Sequence, residues 1–244
     1  MVCVLGRGTR LHAATRLLAL FGVVVSAACT SYRIIRYREP DARNQGMFPS
    51  RLVHRADTAW QFARSETTRA DVDTITVRAP DGTRVPFSKY LVDYRVLAFL
   101  VVRNDTIIYE KYRDGMTDST IHNSFSVAKS VLSALVGIAV GEGKIRRLDD
   151  PITDYLTDLR GQPAFDGVTV RHLLEMKSGL RYTEAEGGMW RSFRSDEAHV
   201  YYTTNLAKTI RDVPRETTPG TTWLYKDTDA ELLGMVLVLS LIHI

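Results

Sequence analysis

The chain has 244 residues, 45% hydrophobic and 25% charged, enough apolar material for one substantial globular domain or part of a two-lobed one, which excludes a wholly disordered chain. Its formal charge of +4 comes from 32 Lys and Arg against 28 Asp and Glu, and Arg7, Arg10 and Arg16 lie close to the amino terminus. The other arginines are scattered among acids and form no aromatic-interleaved stripe, which argues against nucleic acid as a partner.

The basic start leads into an apolar run from Leu17 to Val25 and then the small residues Ser26, Ala27 and Ala28 before Cys29. Residues 1–29 read as an export signal. The run is shorter than the roughly 20 residues of a membrane span, so removal or lipid attachment is expected instead of a lasting helix. Small residues directly before a cysteine resemble a bacterial lipoprotein signal, which implies lipidation of Cys29. Ser26 departs from that pattern, and cleavage near Ala28 with Cys29 left as a thiol is the other reading. Cys3 falls inside the signal, so no internal disulfide is expected in the exported chain. The expected location is the periplasm or cell envelope, with membrane contact only through an anchor on Cys29.

Residues 30–72 are polar and weakly periodic, and are read as a tether and lead-in; the folded domain is expected over 73–238. Thr74–Val77 and Arg84–Phe87 are strand candidates around the turn Ala79-Pro80-Asp81-Gly82. Leu97–Val102 and Thr106–Tyr112, separated by Arg103-Asn104-Asp105, predict an antiparallel hairpin. Ser126–Ala139 is small and apolar on every side and predicts a helix buried on nearly all faces, stopped by Gly141 and Gly143. A second helix is expected over Thr169–Lys177, capped by Thr169 and ended by Gly179. A third is expected to start at Thr228, where Thr228 and Glu231 have capping-box spacing. Strands and helices without βαβ alternation indicate an α+β fold.

The candidate chemistry lies at the start of the first helix. A serine hydroxyl needs a base within hydrogen-bond reach, and a helix brings residue i+3 onto the same face, where Ser126 finds Lys129. To act as base Lys129 must lose its proton; lowering its pKa from about 10.4 to near 7 costs about 4 to 5 kcal/mol, to be supplied by burial and nearby positive charge. The backbone N–H of Ser126 is a donor for a developing oxyanion. With 14 Ser and 7 Lys in the chain, about 0.4 Ser-x-x-Lys pairs arise by chance, so the neighbouring residues decide.

Those neighbours are Asn123-Ser124-Phe125-Ser126-Val127-Ala128-Lys129-Ser130-Val131, Leu148-Asp149-Asp150-Pro151-Ile152, Val168 to Leu174 and Ser178-Gly179-Leu180. Together they resemble the serine β-lactamase-related and penicillin-binding-protein-like family, of the class C β-lactamase, esterase and 6-aminohexanoate-dimer hydrolase type, from about Leu97 to Leu237. The resemblance implies a β-lactamase/transpeptidase-like α+β fold, with an antiparallel sheet flanked by helices plus a helical lobe. It implies Ser126 as nucleophile, Lys129 as its partner and Tyr225, in Tyr225-Lys226-Asp227 after Pro219-Gly220, as a second base sharing a proton with Lys129. Asp227 stands where the family commonly has Asn, which makes it a candidate substrate-binding residue and counts against β-lactamase activity of the usual kind.

His122 precedes the helix without an Asp context or a Gly-x-Ser-x-Gly elbow and is read as structural. No metal-ligand spacing or phosphate loop is present, so no metal and no cofactor are expected. Glu186, Trp190 and Tyr201 are candidate lining residues of the cleft. The family's third motif, Lys or His, then Thr or Ser, then Gly, does not appear after Tyr225, so the fold is expected to be incomplete at the C-terminus and this fragment inactive. Residues 239–244 break the helix pattern and are read as a non-native tail. The expected function is an exported serine hydrolase acting on an ester, small amide or peptide through an acyl-enzyme. The alternatives are a peptidoglycan DD-carboxypeptidase or β-lactamase, and a non-catalytic envelope binding protein.

Overall fold

The computed structural model describes residues 30–53, 57–58, 60–66, 69–184 and 189–242; Cys29 and Glu186 lie outside them. The chain divides into two compact units, Arg43–Asn123 and a second one built from Ser124–Ile244 with the described part of Met1–Ala42. The division differs from the expected single span over 73–238. The expected tether holds a helix, α1, over 30–37, whose Ile34 is buried within the second unit. Tyr202 of the same unit donates its hydroxyl to the Arg38 carbonyl.

The first unit is built on two hairpins. β2 (Thr76–Arg78) and β3 (Arg84–Pro86) pair antiparallel around Gly82, whose φ of +86° suits a residue without Cβ. Phe87 does not extend β3, as the apolar pattern implied; it opens α2 (Phe87–Asp93), where Pro86 at the cap position ends the strand and Lys89 pairs with Asp93 one turn on. β4 (Ala98–Arg103) and β5 (Thr106–Tyr112) form the expected hairpin, with β1 (Ala63–Arg64) parallel to β5. Asn104 and Asp105 both take positive φ, 49° and 56°, as a tight two-residue hairpin turn requires.

The second unit is helical. α3 (Val127–Gly141), α4 (Val170–Leu174), α7 (Leu206–Arg211) and α8 (Asp227–Ile242) enclose a core that includes Val136, Ile145, Ile152, Phe165, Leu173, Ile210, Leu232 and Val236. α5 (Met189–Ser192) and α6 (Asp196–Tyr202) complete the set. The buried Asp150 accepts hydrogen bonds from Tyr155, Arg146 and Arg147, so the Leu148 to Ile152 motif forms a tight turn after α3.

Three helix expectations need correction. α3 is not buried on nearly all faces: Val136 and Ala139 are covered, whereas Val127, Val131, Leu135 and Ile138 remain exposed. An all-apolar sequence permits burial on any side, but only neighbouring elements supply it, and within this unit α8 and the 145–173 segment cover one side. α4 ends at Leu174, before Lys177, because Met176 turns left-handed with φ 55°; its Thr169 cap is as expected, reinforced by Thr169 N–H donating to His172 Nδ1. α8 begins at Asp227, and no box joins Thr228 to Glu231, the buried Thr228 hydroxyl having no hydrogen-bond partner among the described residues. Leu239 to Ile242 continue α8, so the helix pattern does not break at 239 as expected; a run of Leu, Ile and Ser carries enough helix propensity to extend it.

The core assignment has a direct energetic consequence. Phe165→Ala empties a fully buried aromatic position and is expected to cost about 3 to 5 kcal/mol, whereas Val131→Ala on the uncovered face of α3 costs less than about 1 kcal/mol. Urea unfolding of the two variants beside the parent chain measures the contrast.

Candidate active site

Ser126 sits at the cap position of α3, preceded by Phe125 with φ 45°. A bulky residue in the left-handed region is strained, and here the bend sets Ser126 at the helix mouth. Its side chain makes no capping hydrogen bond, which leaves Oγ for Lys129, whose Nζ donates to it across 3.0 Å. The N–H groups of Val127, Ala128 and Lys129 are occupied by turn hydrogen bonds to Ser124, Phe125 and Ser126. Among the described residues the Ser126 N–H has no such partner.

α8 approaches this point with Asp227 in its first turn. Lys129 Nζ donates to Asp227 Oδ1 at 2.5 Å and lies 4.8 Å from the centroid of the Tyr225 ring. The other carboxylate oxygen, Oδ2, accepts the hydroxyl of the buried Tyr182 at 3.0 Å. The four residues Ser126, Lys129, Tyr225 and Asp227 that the sequence singled out are therefore brought together, although 98 residues separate Lys129 from Asp227. Ser126, Lys129 and Tyr225 share a cleft of about 460 Å³ walled by Leu173, Met176 and Leu233. That volume suits a small molecule.

The electrostatics differ from the expectation for Lys129. Nearby positive charge was expected, but the groups around the ammonium are acidic or aromatic. Burial, the largest single influence, works to lower its pKa; the contacts with Asp227 and Tyr225 outweigh it and hold Lys129 above the ordinary lysine value. Asp227, placed in the sequence as a candidate substrate-binding residue, instead spends both oxygens on Lys129 and Tyr182. Glu231, one turn further along α8, is pushed up by burial and then by the charge of Asp227, while Lys129 pulls it down.

A buried clamp joins the start of α8 to the segment after Met176. Asp229 accepts the Ser178 hydroxyl at 2.5 Å and the Ser178 N–H at 3.3 Å, with Lys226 Nζ 3.6 Å away, all three side chains being buried. Gly179, at φ 78°, packs so closely that a Cβ would overlap the Thr217 carbonyl, and Gly220 packs on the His172 ring. Ser178-Gly179 thus ties the segment that delivers Tyr182 to the start of α8. Burial pushes the Asp229 carboxyl up to about 6 against the opposing pull of Ser178 and Lys226.

Tyr182 and Asp229 were not singled out from the sequence, and Glu231 was read there only as a capping residue. The position of Tyr182 four residues after Ser178 carries no local signal, since its partner is distant in the chain. Trp190 lines a separate hollow with Thr183, Arg191 and Arg194, not the Ser126 cleft, and Tyr201 packs edge-on against Tyr202 and lines neither. Both are corrections to the expected lining, since they belong to α5 and α6, away from the start of α3. His122 lies in the first unit, its Nδ1 on the Asn123 carbonyl oxygen. Among the described residues no cluster of His, Cys, Asp and Glu could hold a metal ion, and no helix is long and apolar enough to cross a membrane.

A serine and a lysine meet at a helix mouth on an α+β chain, and comparison with known proteins gives the family of that chain. The family described as Beta-lactamase matches residues 89–239. The chain belongs to that family. It is 31% identical over 139 residues to a 6-aminohexanoate-dimer hydrolase of Paenarthrobacter ureafaciens, a match covering 55% of this chain and 34% of the relative. Among solved structures, a putative 6-aminohexanoate-dimer hydrolase from Bacillus anthracis superposes with a TM-score of 0.62 at 21% identity, over 75% of this chain and 48% of that one. The fold is thus the β-lactamase/transpeptidase type, and the chain spans about a third of the curated relative and about half of the solved neighbour.

The Asp229 clamp makes stability depend on pH in a defined direction. Because its folded pKa lies above the ordinary carboxylate value, its contribution is intact below about pH 4 and is lost as pH rises through about 6, a change of about 3 kcal/mol. The difference in unfolding free energy between the parent chain and Asp229→Asn, measured from pH 3.5 to 7, is expected to fall by that amount across this window.

Proposed function

We propose that this chain carries the nucleophile-bearing part of an exported serine hydrolase that cleaves an ester or small amide through an acyl-enzyme on Ser126. The observation that carries the reading is the 3.0 Å approach of Lys129 Nζ to Ser126 Oγ within a cleft of small-molecule size. The curated relative is named for a small amide, the 6-aminohexanoate dimer, which supports an amide or related ester as substrate class here. The basic start, apolar run and small residues before Cys29 support export, with Cys29 as the anchoring point.

In acylation Ser126 Oγ bonds to the substrate carbonyl carbon while its proton passes to a base, and the Ser126 N–H stabilises the oxyanion. The C–O or C–N bond then breaks as a proton is delivered to the leaving oxygen or nitrogen. Water attacks the acyl carbon, releasing the acid and restoring the Ser126 hydroxyl. Lys129 is the base in contact with Oγ, and Tyr225, which lines the same cleft, is the second proton carrier. Since Asp227 favours the charged lysine, Lys129 accepts the serine proton only after giving up one of its own to solvent. The lysine, charged again, then carries the serine proton and returns it to the leaving group.

Ser126→Ala is expected to abolish labelling of the chain by a fluorophosphonate probe; labelling at the parent rate would exclude Ser126 as nucleophile. Asp227→Asn removes the charge that holds the lysine proton, so the rising limb of labelling rate against pH is expected to move to lower pH, with a several-fold faster reaction near pH 7. A limb that stays in place would show that Lys129 is not the titrating base.

A further inference from the structure

Asp227 could meet Lys129 in many orientations, since a carboxylate on a helix start rotates freely unless its second oxygen is held. Here it is held. Tyr182 donates to Oδ2 at 3.0 Å, and its ring is buried. The segment bearing it is pinned on one side by Ser178 on Asp229 and by the close contact of Gly179 with Thr217. On the other side Arg181 N–H donates to the Pro214 carbonyl, and Leu180 bridges to Arg215. The hydroxyl therefore meets the carboxylate from a rigid support.

We propose that Tyr182 is a positioning residue for the Ser126–Lys129 pair: by holding Oδ2 of Asp227 it aims Oδ1 at Lys129 and takes up part of the carboxylate charge, so that Lys129 releases its proton more readily. The inference rests on the serine hydrolase reading of the site. A hydrogen bond donated to a carboxylate stabilises its negative charge and weakens its attraction for a proton elsewhere. The groups facing Lys129 are Asp227 and Glu231 from α8, Tyr225 from the segment before it and Ser126 from its own helix, with Tyr182 acting through Asp227. Tyr182 touches neither Ser126 nor Lys129 by any hydrogen bond among the described residues, so its effect passes through the carboxylate.

The test is a titration of Lys129 in the full chain carrying lysine labelled with carbon-13 at Cε, followed by NMR, with the Lys129 signal identified by its loss in Lys129→Arg. In Tyr182→Phe the Lys129 midpoint is expected to rise by about 0.5 pH unit or more, and in Asp227→Asn to fall. In the double variant Tyr182→Phe/Asp227→Asn the tyrosine has no carboxylate to act on, and the midpoint is expected to match that of Asp227→Asn. A residue that only fills space would lower the melting temperature and leave the midpoint unchanged. An unchanged or lowered midpoint in Tyr182→Phe, or an equal rise in the Asp227→Asn background, would overturn the proposal. Fluorophosphonate labelling that survives Ser126→Ala would end the hydrolase reading through a separate observable, so the two failures are distinguishable.

Discussion

The ion pair between Lys129 and Asp227 ties α3 to α8, and the geometry of the site follows from it. Both side chains are partly withdrawn from water, and such a pair holds together only where further hydrogen bonds occupy its remaining atoms. Ser126 and Tyr182 supply those bonds, one at the ammonium and one at the carboxylate. The result is a chain from a buried phenol through a carboxylate and an ammonium to a serine hydroxyl. Each link is oriented by the one before it.

That chain changes how a Ser-x-x-Lys pair operates. In an apolar helix environment alone, burial would make the lysine neutral; here a carboxylate stands where the resemblance led to an amide, and the lysine is held charged. A charged lysine is a donor to Ser126 in the resting site and becomes an acceptor only by giving up a proton of its own. The acidic surroundings extend one turn along α8 to Glu231, which feels the charge of Lys129.

Much of what surrounds the site serves placement. Asp150 organises a turn, His172 closes the box at the start of α4 and supports Gly220, and Asp229 with Ser178 locks the segment after Met176 to α8. Phe125 and Met176 occupy the left-handed region without being glycine, one before the serine and one lining its cleft. Strain of this kind persists where the surrounding packing over-determines the backbone, and it collects where side chains must be aimed.

From the sequence alone, the β4–β5 hairpin, the α+β class, the start of α3 at Ser126 and the set Ser126, Lys129, Tyr225 and Asp227 were legible. Each rests on a local rule: alternation around Asn104-Asp105, helical spacing of three, or a run of residues in family order. Tertiary structure alone decided that Asp227 pairs with Lys129 instead of facing substrate, that Tyr182 completes the pair, and that one side of α3 stays uncovered within its unit. The reason is physical. Hydroxyl-to-carboxylate contacts and helix-face coverage join residues tens of positions apart, and no spacing rule along the chain encodes which distant groups meet. Local periodicity says which residues can stand on one face, and packing between elements decides what that face meets.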